Sequence, residues 1–214
     1  MKYISKNFPN RLIIISAGAF GQEVYNWAKQ DGWENVVFID SRHGEDWDIV
    51  GTPESYIPKE SDYFLCAIGE PRIKKKYAKR LMDRNAQFAA LIHPTVNLGR
   101  NITISPGVIV GPYVVVSNEV TLHDHVAVHV HSSVGHNTTV GAYTQMYPHA
   151  IIGGWVEIGE EVTIGSGANI LPRSVLEDQC VIGANSLAFY RTRTRQTILG
   201  VPGKPLGLQS KVET

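Results

Sequence analysis

In the second half of the chain the hydrophobic pattern has a period of six. Every sixth residue from Leu98 through Val110, Val128, Met146 and Ile164 to Ile182 is aliphatic or Met. A second series in the same step, from Ile102 through Val114, Ser132, Ala150 and Ala168 to Ser186, holds only small or β-branched residues. The position after the first series is often glycine, as at Gly99, Gly111, Gly135, Gly153 and Gly165. Ordinary strands repeat every two residues and helices every 3.6, so neither explains this step. Three hexapeptides closing one triangular coil do explain it, because residues eighteen apart then stack. The large aliphatic fills the prism, the small residue takes a tight inner position, and glycine is expected to tolerate the turn backbone at each corner. The pattern predicts a left-handed parallel β-helix from about Val96 to Ala188. A meander of antiparallel strands would lose the phase, since hairpin loops vary in length.

The first half has another rhythm. Leu12 to Ile15 is a short apolar run of the kind a buried parallel strand shows, and Ala17 to Gly21 breaks it. Helical spacing follows from Gln22 to Gln30. Val36 to Asp40 and Tyr63 to Gly69 read as further strands, a basic amphipathic helix is expected from Arg72 to Asp83, and Phe88 to Ile92 reads as a fourth strand. This order predicts a small α/β domain of Rossmann-like topology. Gly18-x-x-Gly21, after a strand and before a helix, has the placement of a dinucleotide-binding turn, with Ser16 where the first glycine of the fingerprint would stand. Asp40 follows Gly21 by nineteen residues, near the spacing of a ribose-binding acid. The expected division is residues 1–92 as the α/β domain, 93–189 as the β-helix, and 190–214 as a tail that leaves the last coil.

Composition narrows the function classes. Twenty Lys and Arg balance twenty Asp and Glu, which favours neither nucleic acid nor an anionic membrane. The opening residues lack an apolar run with a cleavage site, and no stretch reaches the ~20 apolar residues of a membrane helix. Cys66 and Cys180 are too few and too far apart for a disulfide scaffold or zinc cluster. A cytoplasmic location is expected. Of eight histidines, His123, His125, His129, His131, His136 and His149 fall within one short stretch, leaving only His43 and His93 elsewhere.

Hexapeptide repeats followed by Gly200-Val201-Pro202-Gly203-Lys204-Pro205 resemble the bacterial hexapeptide acyltransferases. Ala17 to Val24, Phe38-Ile39-Asp40, Ala67-Ile68-Gly69 and Ile92-His93-Pro94 look like landmarks of the sialic-acid O-acetyltransferase family. That family includes the nucleotide-sugar N-acetyltransferases. The resemblance spans nearly the whole chain and implies a homotrimer that uses acetyl-CoA. The implied acceptor is the amino group of a nucleotide-linked amino sugar. The alternatives are O-acetylation of sialic acid or another glycan sugar, and a non-catalytic sugar-nucleotide-binding trimer.

The resemblance also implies residue roles. Ser133 to Gly141 matches the family's catalytic segment, which makes His136 the general base, a task suited to imidazole. Where relatives commonly have an acidic residue after that histidine, this chain has Asn137, which orients but does not neutralise. Gly154, eighteen residues after His136, is the implied acetyl-CoA contact, with Gln145 and Ala168 beside it. Gly18, Gly21, Asp40 and Gly69 are implied to hold the nucleotide sugar. His129 and His131 stand in the region that holds the sugar, His129-Val130 replacing a common Asn-Thr. Arg191, Arg193 and Arg195 suit CoA phosphates or a solvated tail. His131 and His136 share the five-residue spacing of zinc ligands in γ-class carbonic anhydrases, but a third histidine is missing one coil upstream, so no metal is expected.

Overall fold

The computed structural model describes residues 6, 9–42 and 47–206; His43 lies outside them. Strand β1 (Arg11–Ile15) is the centre of a four-stranded parallel sheet with β2 (Val36–Ile39), β3 (Asp62–Cys66) and β4 (Gln87–Phe88), in the order β2-β1-β3-β4. Its side chains divide between two cores. Leu12 and Ile14 join one face with Val24, Trp27 and Phe38, while Ile13 and Ile15 join the other with Phe64 and Leu81. Burial on both faces is why β1 reads as a continuous apolar run.

Helix α1 (Ala19–Gln30) turns Gly21, Val24, Trp27 and Ala28 inward. Helix α2 (Pro71–Met82) begins with Pro71 in its first turn, and the Glu70 carboxylate accepts from the Ile73 amide at 2.7 Å, satisfying a donor the helix leaves open.

The strand expected over Phe88 to Ile92 is two strands in two sheets. Gln87–Phe88 pairs with β3, whereas Leu91–Ile92 pairs with Ile109–Val110 of the β-helix. The chain therefore crosses from one architecture to the other at Ala89 and Ala90.

The expected parallel β-helix follows an N-terminal α/β unit. Its two-residue rungs form three parallel sheets, and each rung pairs with the one eighteen residues on: Thr121 with Thr139, Thr139 with Glu157, and Glu157 with Val175. The large inward series and the small series form one buried core from Val108 to Ile198. Hydroxyls in the small series are satisfied internally: Ser132, Thr138 and Thr144 each donate to a carbonyl fifteen residues ahead, at 3.0–3.1 Å. One outer face is also dry, because Leu91, Ile109 and Ala127 pack against Trp27 of the α/β unit.

Two expectations are corrected. The recurrent glycines do not hold the left-handed corner backbone. That conformation falls two residues later, at non-glycine positions such as Tyr113, His131, Asn137, His149 and Trp155, with φ between 57° and 62°. The glycines are required by stacking instead. A Cβ on Gly135 would lie 2.5 Å from the Gly153 carbonyl carbon, and one on Gly141 would lie 2.4 Å from that of Gly159. The second correction concerns the tail. Thr197 pairs with Val181 and Ile198 with Ile182, so the chain adds another rung after a coil of sixteen residues, and Lys204–Pro205 folds back antiparallel on it.

Candidate active site

His136 sits at the corner between the rungs Ser133–Val134 and Thr139–Val140, where its side chain is exposed. Its Nδ1 lies 2.9 Å from Asn137 Oδ1. With the amide oxygen as acceptor in this contact, the ring is the Nδ1–H tautomer, the form in which Nε2 keeps its lone pair. Below the ring, the coil is pared to glycine. A Cβ on Gly154 would lie 2.6 Å from His136 Nε2. The Trp155 amide donates to the His136 carbonyl at 2.8 Å, and the Trp155 indole stands edge-on to the imidazole at 6.2 Å, 55% exposed. Asn137 is left-handed because every corner is, so its φ of 58° follows from the repeat.

Other predicted residues sit elsewhere. His131 is on the preceding corner, in a ladder with Tyr113 and His149. The ring centroids are 5.1 Å apart at each step and the planes nearly parallel. The rung Ser133–Val134 separates His131 from His136. Among the described residues, no group of three or more His, Cys, Asp or Glu could hold a metal ion.

The two lesser acetyl-CoA candidates are both buried. Ala168 is fully buried, its side chain in the prism core, and its amide and carbonyl are bonded to Gly165 and Ile151. Gln145 is also fully buried. Its Oε1 accepts from Lys74 Nζ at 2.6 Å and its Nε2 faces His129 Nε2. Neither side chain presents a surface to a cofactor. Of the arginines, Arg191 is paired with Glu177 and Arg195 donates to Gln179 at 2.7 Å.

The N-terminal candidates do converge. Strand order reverses at β1 and β3, and in such sheets ligands bind outside the carboxyl ends of the strands at that point. Gly18, Gly21 and Gly69 lie there. Ser16 has φ +84°, a glycine-like conformation at the fingerprint's first position. Gly21 is obligatory, since a Cβ would lie 1.9 Å from the Ser16 carbonyl oxygen. Asp40 is buried and committed within the chain: one oxygen accepts the Ala17 amide and the other the Arg42 amide, both at 2.8 Å. Burial alone would raise its pKa, but those bonds and the Arg42 guanidinium hold it below the ordinary value. Gly69 faces Tyr147 of the β-helix, whose hydroxyl donates to the Gly69 carbonyl at 3.4 Å. His129 is buried at this seam, its ring stacked on Phe20 at 4.4 Å and on Tyr147 at 5.5 Å.

Sequence reasoning missed Lys74. It is wholly buried, donating to the His125 carbonyl at 3.3 Å as well as to Gln145. Desolvation pushes its pKa down to about 8, against the opposing pull of Cys66 and Glu70. Burial, and then the Lys74 cation, push both His125 and His129 down to about 4. The signal was present in the sequence: Pro71, Lys74, Ala78 and Leu81 lie on one helical face, and three of the four are apolar.

Residues 11–81 match the family model described as the PglD N-terminal domain. No curated protein matches the chain. Among solved structures, the acetyltransferase domain of PglB from Neisseria gonorrhoeae FA1090 is similar, with 27% identity and a TM-score of 0.88 over 92% of this chain and 100% of that one. The same domain in complex with acetyl coenzyme A gives 0.87. PerB from Caulobacter crescentus, in complex with CoA and GDP-perosamine, shares the fold at 21% identity and a TM-score of 0.87, over 93% of this chain and 98% of that one. These findings bear out the resemblance drawn from the sequence.

Proposed function

We propose that this chain, an acetyltransferase of the hexapeptide-repeat kind akin to the nucleotide-sugar N-acetyltransferases, moves the acetyl group of acetyl-CoA to the amino group of a nucleotide-linked amino sugar. The observation that carries the reading is the His136–Asn137 contact, which leaves Nε2 unprotonated on an exposed corner floored by Gly154. The neutral amine attacks the thioester carbonyl while Nε2 takes its proton. The tetrahedral oxyanion collapses, the C–S bond breaks, and the imidazolium returns its proton to the leaving thiolate. Products are the acetamido sugar and free CoA, with His136 neutral again. Asn137 holds the ring but does not balance the imidazolium charge, so the cation is short-lived.

Residues 1–92 supply the nucleotide-sugar site through Gly18, Gly21 and Gly69, with Asp40 shaping the turn through its bond to Ala17. Residues 93–189 supply His136 and Gly154. The working form is a cytoplasmic homotrimer with three sites at subunit seams. Val115 and Ile151, 46% and 49% exposed on the sheet that ends at the His136 corner, support a partner on that side.

The test is acetyl-CoA with a panel of UDP-, GDP- and dTDP-linked 4-amino sugars, reading free thiol. Release with at least one amino sugar, abolished in a trimeric His136→Ala variant, is the expected result. Turnover only with hydroxyl sugars would replace N- by O-acetylation. Binding without any turnover would favour the non-catalytic reading.

A further inference from the structure

Lys74 is a buried cation whose hydrogen-bond partners are neutral, and the polar chain it starts has a direction. An ammonium only donates, so the Gln145 atom facing it is Oε1. That fixes the amide, and Nε2, a donor, must face His129 Nε2. His129 Nε2 is therefore the acceptor and the ring's proton sits on Nδ1. Among the described residues His129 Nδ1 has no hydrogen-bond partner, although the residue is only 6% exposed. Its ring cannot turn away, being clamped between Phe20, on the first turn of α1, and Tyr147, which bonds to Gly69. That N–H adjoins the crevice at the carboxyl ends of β1 and β3, and among the described residues the wholly buried side-chain atoms without a partner are Trp33 Nε1 and His125 Nδ1, so His129 Nδ1 is not sealed off from that crevice.

We infer that Lys74 and Gln145 are positioning residues that lock His129 as the Nδ1–H tautomer, so that it donates a hydrogen bond to an oxygen of the acceptor nucleotide sugar. This rests on the acceptor reading above. It gives Gln145 a role other than cofactor contact, and it explains a lysine on the inward face of α2. A neutral, pre-oriented donor selects a phosphate, carbonyl or hydroxyl oxygen at that spot and disfavours an ammonium.

The test uses the full-length protein with 15N-labelled histidine, whose ring shifts distinguish the tautomers. Wild type should show His129 as Nδ1–H, and saturation with the nucleotide sugar that turns over should shift that resonance. Gln145→Glu places a carboxylate that accepts from both neighbours, so the proton should move to Nε2. The KM and calorimetric Kd for the nucleotide sugar should then rise roughly tenfold, the loss of one oriented hydrogen bond. The kcat at saturation and the KM for acetyl-CoA should stay near wild type. Lys74→Arg keeps a donor to Gln145 and should preserve the tautomer and the sugar KM. An Nε2–H signature in wild type, no shift on saturation, or a flipped tautomer with unchanged KM overturns the inference alone. A wild type that binds no nucleotide sugar overturns it together with the acceptor reading.

Discussion

The imidazole of His136 rests on Gly154, one coil further along the chain, so closely that a single methyl group on that glycine would lie 2.6 Å from Nε2. The relation is set by the repeat, which puts residues eighteen apart in register, and it ties the reacting nitrogen to a bare stretch of backbone.

Gly154→Ala should therefore displace the imidazole without unfolding the prism, because His136 is exposed and free to move. Misplacement of about 1 Å at a reacting group costs on the order of a hundredfold in rate. The expected outcome is that loss in kcat with an unchanged thermal melt; full activity in the variant would remove His136 Nε2 from the chemistry.

Asn137 carries two separable burdens. Its side chain holds His136 Nδ1, and its backbone is left-handed at φ 58°. Asn137→Gly keeps the backbone at ease and removes only the acceptor, so stability should change by less than about 1 kcal/mol. Activity should fall at least about tenfold, within the range general-base catalysis contributes. Asn137→Ala should lose a similar amount of activity and in addition about 1 kcal/mol of stability, from strain. Parallel denaturant melts and CoA-release assays separate the two.

The seam between α2 and the β-helix should respond to acid. His125 and His129 are held neutral, pushed down to about 4 from 6.5, first by burial and then by Lys74. The unfolded chain binds these protons first, so stability is retained above pH 6.5 and falls as pH drops towards 4. The scale is on the order of 3 kcal/mol for one such ring titrating alone. Lys74 acts at the other end: with its pKa pushed down to about 8, its burial penalty is relieved as pH rises from there towards 10.5. Melting temperatures across pH 4.5–10 check both slopes, and His125→Phe should flatten the acid one.

Gly141→Ala tests the stacking role of the repeat glycines. A Cβ there would lie 2.4 Å from the Gly159 carbonyl, with no flexible side chain to yield. Overpacking of this kind costs about 1–3 kcal/mol, and the loss should register as a lower denaturant midpoint. A neutral effect would return these glycines to a turn role.

The prism was legible in the sequence because its period is a covalent count. Six residues per side and eighteen per coil leave one choice for which side chains point inward, and Met146 or Ile164 could not be placed elsewhere without breaking the series. The same count put Gly154 over His136 and His149 over His131. What it could not convey was the reason for the glycines, since a corner turn and a close approach of coils both ask for a missing Cβ. Only the structure separated them, by placing the left-handed residue two positions later. Nor did the period warn that the coil after Ile182 shortens to sixteen residues, because aliphatic Ile198 restores the core at a new phase.

The seam between the halves was decided by tertiary structure alone. Lys74 is 51 residues from His125 and 71 from Gln145, and nothing in its spacing foretells that it meets them. Gln145 stands at an outward rung position, which in an isolated prism would face solvent; docking α2 there buries it. A residue's place in a repeat is fixed by the chain, whereas what covers its outer face depends on a separate unit's packing.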